Sequence, residues 1–246
     1  MTSRTLDITP DRAARIAGFG YLVIIVAGIF AEVAVRSQLI VPGDAAATAA
    51  NIMASEPLFR TGIASDLVML TFDVVVAVAL YVLFRPVSRV LSLLAASFRL
   101  VHAAVYGVTL LNLLAVLLLL GGGEHLAAFA PDQLHALATV LLGVHAKGYA
   151  LGLVFFGFHC LVLGYLVFRS GFLPRILGIL LFVAAAGYLT DSFAQVLLPG
   201  YGDLAGIFYV VVFAPAFIAE LSLCLWLLFR GVGPAAPAAG AMTDDA

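Results

Sequence analysis

Charged residues are scarce in this 246-residue sequence: they make up 11% of the chain, whereas 64% of its residues are hydrophobic. A soluble domain carries about 25% charged residues, so this chain lacks the side chains needed to cover a water-exposed surface. Its net charge of −2 offers no basic surface to a nucleic acid. We therefore expect a protein that uses the lipid bilayer as its solvent and binds no nucleic acid.

Cysteines and familiar motifs are also scarce. Cys160 and Cys224 both lie inside apolar runs, and we interpret them as free, small hydrophobic residues rather than as a disulfide. The sequence contains no P-loop, dinucleotide-binding glycine motif or zinc-protease motif, and we predict neither a metal nor a cofactor. No cleavable signal peptide is evident, because residues 1–13 mix acids with arginines.

Long apolar runs are what the sequence does contain. A membrane helix needs roughly 20 apolar residues, and the runs of that length are residues 14–36, 59–84, 88–120, 146–168, 174–197 and 204–230. These runs predict an all-α fold, a polytopic membrane bundle of six transmembrane helices spanning 14–230. A cytoplasmic segment, 1–13, precedes the bundle, and a Pro/Ala/Gly-rich tail, 231–246, is expected to be disordered.

Arginine and lysine indicate the orientation of the bundle. Eight arginines lie at one set of span ends, against Arg36, Arg60 and Lys147 at the other. The positive-inside rule then puts both termini in the cytoplasm of a multi-pass protein of the inner (plasma) membrane. In the outer loops, 42–56 has room for a short interfacial helix, and 132–145 either does the same or extends the fourth span. We expect the histidines of the second loop, His125, His135 and His145, to be solvated.

Ionisable residues inside the spans are the strongest pointers to function. One such residue at a helix centre costs about 2.5–3.5 kcal/mol on insertion scales, so these residues should face one another rather than lipid. Every span carries at least one, and together they are Glu32, Asp66, Asp73, Arg99, His102, His159, Asp191 and Glu220. Depth, counted at about 1.5 Å per residue, predicts a mixed mid-membrane layer and an acidic outer layer formed by Glu32, Asp66 and Asp191.

Helical spacing supports an interior polar face. In the third span Arg85, Ser92, Arg99 and Tyr106 recur every seven residues, which makes a nearly continuous stripe on one helix. We therefore favour one continuous helix there over a segment lying on the membrane surface. Asp66 and Asp73 are also seven residues apart and share a face of the second span.

Other spacings concern the remaining spans. In the first span, a 3-4-3-4 pattern from Gly18 through Tyr21 to Glu32 places Glu32 on a face with small residues. In the fifth span, Tyr188, Asp191, Ser192 and Gln195 cluster within two turns. In the fourth, Gly148, Gly152, Gly157 and Gly164 indicate close helix packing.

These patterns predict two sets of site residues. Catalytic or proton-binding roles are predicted for Asp66, Asp73, His159 and Glu220, and ligand-binding roles for Arg99, His102, Tyr106, Tyr188, Asp191 and Glu32. Each of these residues also has a purely structural interpretation. Arg99, for example, would then clamp the fold by pairing with Asp73 or Glu220, and His159 would bond a neighbouring helix.

The block FFGFHCLVLGYLVFRSGFLPRILGILLFVAAAGYLTDSFAQ at 155–195 resembles a bacterial six-span membrane family catalogued only as a domain of unknown function. The segments ITPDRAARIAGFGYLVIIVAGIFAE and FRLVHAAVYG resemble the same family, so the similarity covers most of residues 8–230. The resemblance implies an integral membrane helical bundle and no particular activity. Members of that family often have an acidic residue where this chain has His102, which argues against a proton or metal role for His102.

Three functions remain open at this point. The favoured one is an intramembrane pocket that binds, or processes by acid–base chemistry, a small hydrophobic molecule of lipid-like or isoprenoid-like character. The second is a proton-coupled transporter of small molecules, in which a homo-oligomer would build a complete pathway; no broken helices support it. The third is a non-catalytic assembly subunit whose charges act as interhelical clamps.

Overall fold

The computed structural model describes residues 8–232, and in that range the chain is helical without any strand. Its helices are α1 (Pro10–Leu39), α2 (Ala45–Ala54), α3 (Glu56–Phe84), α4 (Arg89–Leu120), α5 (Pro131–Ser170), α6 (Arg175–Leu197) and α7 (Tyr201–Arg230). All of them except α2 are long and apolar enough to cross a membrane, so the prediction of an all-α, six-span bundle is confirmed. Residues 1–7 of the predicted N-terminal segment and 233–246 of the predicted tail lie outside the described residues.

The helices begin and end at residues whose chemistry favours those boundaries. The Thr9 hydroxyl accepts a hydrogen bond from the backbone N–H of Arg12, and Pro10 occupies the first helical position of α1. Asp44 caps α2 and Ser88 caps α4 in the same way. Gly171, at φ 72°, ends α5 in the left-handed conformation that glycine adopts without strain.

Helix α4 runs without interruption from Arg89 to Leu120, as the seven-residue stripe predicts. Ser92, Arg99 and Tyr106 are all buried along its inner face. Arg85 belongs to the turn after α3 and is not part of the stripe. A single helix therefore places all three buried residues on one side of α4.

Helix α5 is longer than its apolar run. It begins at Pro131, so residues 132–145 extend the fourth span rather than forming a separate helix. The expectation of a solvated His145 is wrong: its side chain is buried between α4 and α5, where Nδ1 donates to the carbonyl oxygen of Thr109 at 3.2 Å. A polar residue can continue a helix wherever neighbouring helices supply its hydrogen bonds.

The spanning helices form a closed ring. Each spanning helix packs on the next one in chain order, and α7 packs on both α6 and α1. Many large apolar side chains point outwards, for example Val108, Leu118 and Phe229, as expected for a surface in contact with lipid. The inward faces of all six helices consequently meet along one axis.

Glycines allow the close approach of α5 to its neighbours. A Cβ at Gly148 would lie 2.2 Å from Cγ2 of Thr109, and one at Gly164 would lie 3.0 Å from the carbonyl oxygen of Gly178. Gly152 and Gly157 similarly contact His102 and Leu189. The close packing that the glycine spacing predicts is confirmed on both sides of α5.

Two of the spanning helices change their winding. Residues Phe30–Arg36 of α1 form a π-helical segment, and so do Tyr209–Phe213 and Trp226–Arg230 of α7. A π turn holds more residues than an α turn, so the 3-4 spacing that runs from Gly18 does not extend to Glu32. Glu32 was predicted to share the face of Gly18 and Tyr21, but its side chain is 58% exposed, whereas Gly18 and Tyr21 are buried.

Candidate functional site

Side chains from all six spanning helices meet at the centre of the ring. We call this group the central cluster, and it consists of Tyr21 (α1), Asp73 (α3), Arg99 and His102 (α4), Phe156 and His159 (α5), Tyr188 (α6) and Glu220 (α7). All of these side chains are buried except that of Glu220, which is half-buried. Six of the ten residues predicted for a site therefore come together, and Tyr21 and Phe156 join them.

Arg99 is the most highly connected residue of the cluster. Its Nη2 lies 2.6 Å from Oδ1 of Asp73, and its Nη1 donates to the hydroxyl of Tyr21 at 3.0 Å. The guanidinium also lies over the ring of Tyr21, 4.7 Å from its centroid, and over the ring of Phe156 at 5.3 Å. Arg99 thus links α1, α3, α4 and α5, and its Nε has no hydrogen-bond partner among the described residues.

The partners of His159 fix its tautomer. Nδ1 lies 2.9 Å from the carbonyl oxygen of Ala95, which can only accept a hydrogen bond, so Nδ1 carries the proton. Nε2 lies 3.2 Å from Nη1 of Arg99, which can only donate, so Nε2 is the acceptor. His159 is consequently neutral, and both of its ring nitrogens are occupied by protein groups.

Phe156 joins the polar residues of the cluster to one another. Its ring centroid lies 5.0 Å from that of His102, 5.4 Å from that of His159 and 5.5 Å from that of Tyr188. Nδ1 of His102 is buried against the backbone of Gly152 on α5. Arg99, whose Nε has no partner among the described residues, and His102 therefore border the same aromatic ring.

Glu220 occupies the side of the cluster formed by α6 and α7. Its Oε1 accepts a hydrogen bond of 2.6 Å from the hydroxyl of Tyr188. It is close enough to Arg99 and Asp73 for their charges to interact, but it forms no ion pair in the part of the chain that the structure describes. Glu220 thus differs from Asp73, whose carboxylate is held by an arginine.

A second group, the Arg36 cluster, contains Glu32, Arg36, Asp66 and Tyr106. Nη1 of Arg36 lies 2.6 Å from Oδ2 of Asp66, and its Nε donates to Glu32 at 2.8 Å. The Tyr106 hydroxyl donates to the other oxygen of Asp66 at 2.8 Å. Asp66 and Asp73 are both buried on one side of α3, as their spacing predicts, but each is paired with a different arginine.

Asp191 lies in a third group, near the C-terminal end of α6. It accepts hydrogen bonds from the hydroxyl of Tyr201 at 2.5 Å and from the side-chain amide of Gln195 at 2.9 Å. Nζ of Lys147 donates to Gln195 and lies over the ring of Tyr201. The predicted outer layer is not purely acidic, because Arg36 and Lys147 lie beside the three acids that were assigned to it. The prediction of an acidic layer is wrong in this respect.

The structure adds residues that the sequence pattern did not single out. Arg36 and Lys147 were assigned to loop ends, and the longer helices α1 and α5 bring them within reach of acids. Tyr21 belongs to the 3-4-3-4 pattern of the first span, but no ionisable residue lies next to it in that pattern. Phe156 lies among many other apolar residues, so nothing in its neighbourhood could have identified it.

Comparisons with known proteins agree with this architecture. The family model described as "Domain of unknown function (DUF4386)" matches residues 16–231. An uncharacterised protein of Archaeoglobus fulgidus is 32% identical over 163 residues, which cover 66% of this chain and 79% of that protein. No solved structure matches the chain significantly.

Proposed function

The chain belongs to the DUF4386 family of unknown function, and we propose that its bundle binds a small hydrophobic molecule, lipid-like or isoprenoid-like, at the central cluster. The observation that carries this proposal is a buried polar atom without a partner among the described residues, Nε of Arg99, on a guanidinium that lies over the ring of Phe156. It lies inside a ring of apolar helices, where an unpaired polar group is costly.

The unpartnered atom indicates the chemistry of the ligand. A guanidinium carries only donors, so Nε of Arg99 requires an acceptor, such as a carbonyl, hydroxyl or carboxyl oxygen. Leaving a buried donor unpaired costs about 1–3 kcal/mol, and more for a charged group, which favours a ligand that brings such an oxygen. Aromatic side chains beside the cluster, such as Phe156 and Tyr149, would contact the remainder of a hydrophobic molecule.

Any acid–base step on that ligand would involve Glu220 rather than the other predicted groups. Asp73 is held by Arg99, Asp66 is held by Arg36, and both nitrogens of His159 are occupied. Glu220 has a tyrosine hydroxyl as its partner, so it can change its protonation state without breaking an arginine pair. This assignment narrows the predicted catalytic set to one residue.

Transport is the second candidate, and the π-helical segments favour it. They interrupt α1 at Phe30–Arg36 and α7 at Tyr209–Phe213, the two helices that close the ring. Segments of this kind often occur at functional positions in a helix. Movement of a bound molecule past α1 and α7 in proteoliposomes, dependent on a pH gradient, would support this candidate.

Photo-crosslinking from inside the bundle tests the proposal. Tyr149 is half-buried, and its ring lies 6.3 Å from that of His102, whereas Tyr165 lies on the same helix with 46% of its surface exposed. A benzophenone amino acid at position 149 should label one defined small molecule in cells, and the same probe at 165 should label bulk phospholipid. Phospholipid at both positions would argue for a non-catalytic assembly subunit instead.

A further inference from the structure

The central cluster has more acidic groups than basic ones. It contains two carboxyl groups, those of Asp73 and Glu220, and one guanidinium, that of Arg99. His159 contributes no charge, because its nitrogens donate to Ala95 and accept from Arg99. Once Asp73 is paired with Arg99, Glu220 is left without a matching positive charge.

An unmatched carboxylate is unfavourable at this position. Glu220 lies on a membrane-spanning helix between α1 and α6, and charged groups in such surroundings are rare unless they are paired. The ion pairs formed within residues 8–232 do not include it. The carboxyl group is therefore neutralised either by a proton or by a cation that binds there.

The ligands available around Glu220 favour a proton. A metal cation needs several oxygen ligands, and the described residues contain no group of three or more His, Cys, Asp or Glu side chains that could hold one. A proton needs only one oxygen atom. Because Oε1 already accepts from the Tyr188 hydroxyl, Oε2 is the atom that remains to carry the proton.

The groups that act on Glu220 come from every other helix of the ring. They are Tyr21 of α1, Asp73 of α3, Arg99 of α4, Tyr149 and Cys160 of α5, and Tyr188 of α6. Arg99 is the only cation in this set, and it is already bound to Asp73. Loss of the proton from Glu220 would present Arg99 with a second carboxylate while its Nε is unpartnered.

We propose that Glu220 is an exchangeable proton-binding site of the central cluster, with the proton on Oε2 and the Tyr188 hydroxyl bonded to Oε1. Its protonation state then decides whether Arg99 faces one carboxylate or two. Proton release at Glu220 is thereby coupled to the ion pair between Arg99 and Asp73. This role deepens the proposed ligand site and rests on it only for its physiological use, because proton binding itself requires no ligand.

Infrared spectroscopy of the full-length protein in lipid bilayers tests the proposal. At neutral pH we expect the carbonyl stretch of a protonated carboxyl group, lost in Glu220→Gln and retained in Glu32→Gln, whose exposed carboxylate is paired with Arg36. Tyr188→Phe should move the band to higher frequency, because it removes the hydrogen bond to Oε1. Raising the pH should abolish the band, and lowering it again should restore the band.

Two outcomes would overturn this inference. A spectrum without a protonated carboxyl band at neutral pH, or one that Glu220→Gln leaves unchanged, means that Glu220 is ionised and takes a cation instead. A band that does not respond to pH means that the proton is not exchangeable. If Glu220→Gln fails to fold, the pH response of the wild-type band and its shift in Tyr188→Phe decide the question. None of these measurements uses a ligand, so the crosslinking result from position 149 stands or fails separately.

Discussion

Arg99 and Asp73 form an ion pair inside the bundle, with 2.6 Å between Nη2 and Oδ1 and side-chain exposures of 0% and 3%. The pair joins α4 to α3, and the other groups bound to Arg99 extend this connection to α1 and α5. Removing one member of a buried pair leaves the other charge uncompensated, which is why such pairs tolerate single substitutions poorly.

The first prediction is that Arg99→Met destabilises the protein by about 3–5 kcal/mol, because it leaves Asp73 buried without a counter-charge. The double variant Arg99→Met/Asp73→Asn should be more stable than the single one, since it removes both charges. Thermal unfolding in detergent measures both effects.

Arg60→Met provides a matched control for the first prediction. Nε of Arg60 also lies 2.6 Å from its acid, Glu56, but the two side chains are 59% and 45% exposed. Exposed pairs contribute less than about 1 kcal/mol, so this variant should unfold close to the wild type. If Arg99→Met and Arg60→Met destabilised the protein equally in thermal unfolding, burial would not explain the strength of the Arg99–Asp73 pair.

A second prediction concerns the protonation of His159. The carbonyl of Ala95 and the guanidinium of Arg99 require a neutral ring with its proton on Nδ1. Nitrogen-15 NMR of histidine-labelled protein at neutral pH should show this tautomer for the resonance that disappears in His159→Gln. A cationic ring, or a proton on Nε2, would be incompatible with the bonds described here.

The third prediction tests the close packing of α5 on α6. A Cβ at Gly178 would lie 2.7 Å from the carbonyl oxygen of Gly164 and 3.0 Å from the backbone nitrogen of Phe168, and neither atom can move without the helix. Gly178→Ala should therefore cost about 1–3 kcal/mol in thermal unfolding. Gly143→Ala is the control, because no atom of residues 8–232 lies within 4 Å of its added Cβ. It should be neutral or stabilise α5 by about 0.5–1 kcal/mol through helix propensity.

A fourth prediction separates the two acids that share Arg36. Asp66 is completely buried, so Arg36→Gln should cost about 3 kcal/mol by leaving it with only the Tyr106 hydroxyl as a partner. Glu32 is 58% exposed, and Glu32→Gln should change stability by less than about 1 kcal/mol. A larger loss in Glu32→Gln than in Arg36→Gln, measured by the same unfolding assay, would reverse this assignment.

Apolar length and helical spacing predicted much of this architecture. The length of the apolar runs identified the spans, and the high cost of charge in lipid predicted that Asp73, Arg99, His159 and their neighbours would face inwards. The seven-residue stripe correctly indicated that α4 is one helix with Arg99 on its buried side. These features follow from forces that act along a single helix, so they can be predicted directly from a sequence.

Other features depend on how the helices pack on one another, and this packing cannot be predicted from a single sequence. Arg36 and His145 were assigned to loops because apolar length alone sets a span's end, whereas packing extends α1 to Leu39 and begins α5 at Pro131. The π-helical segment of α1 broke the spacing on which the position of Glu32 depended. Phe156 became central only when two other helices, α4 and α6, brought Arg99, His102 and Tyr188 around its ring.

Native mass spectrometry of gently extracted protein tests the central claim most directly, because it shows whether the bundle carries a small molecule. We predict that the wild type retains a hydrophobic ligand, and that His102→Phe loses it. This substitution keeps an aromatic ring against Phe156 but removes the polar ring nitrogens from the cluster. His135→Phe, at the far end of α5, should retain the ligand. A wild-type protein found at its bare mass, or a ligand that His102→Phe binds as fully as the wild type, would contradict the account.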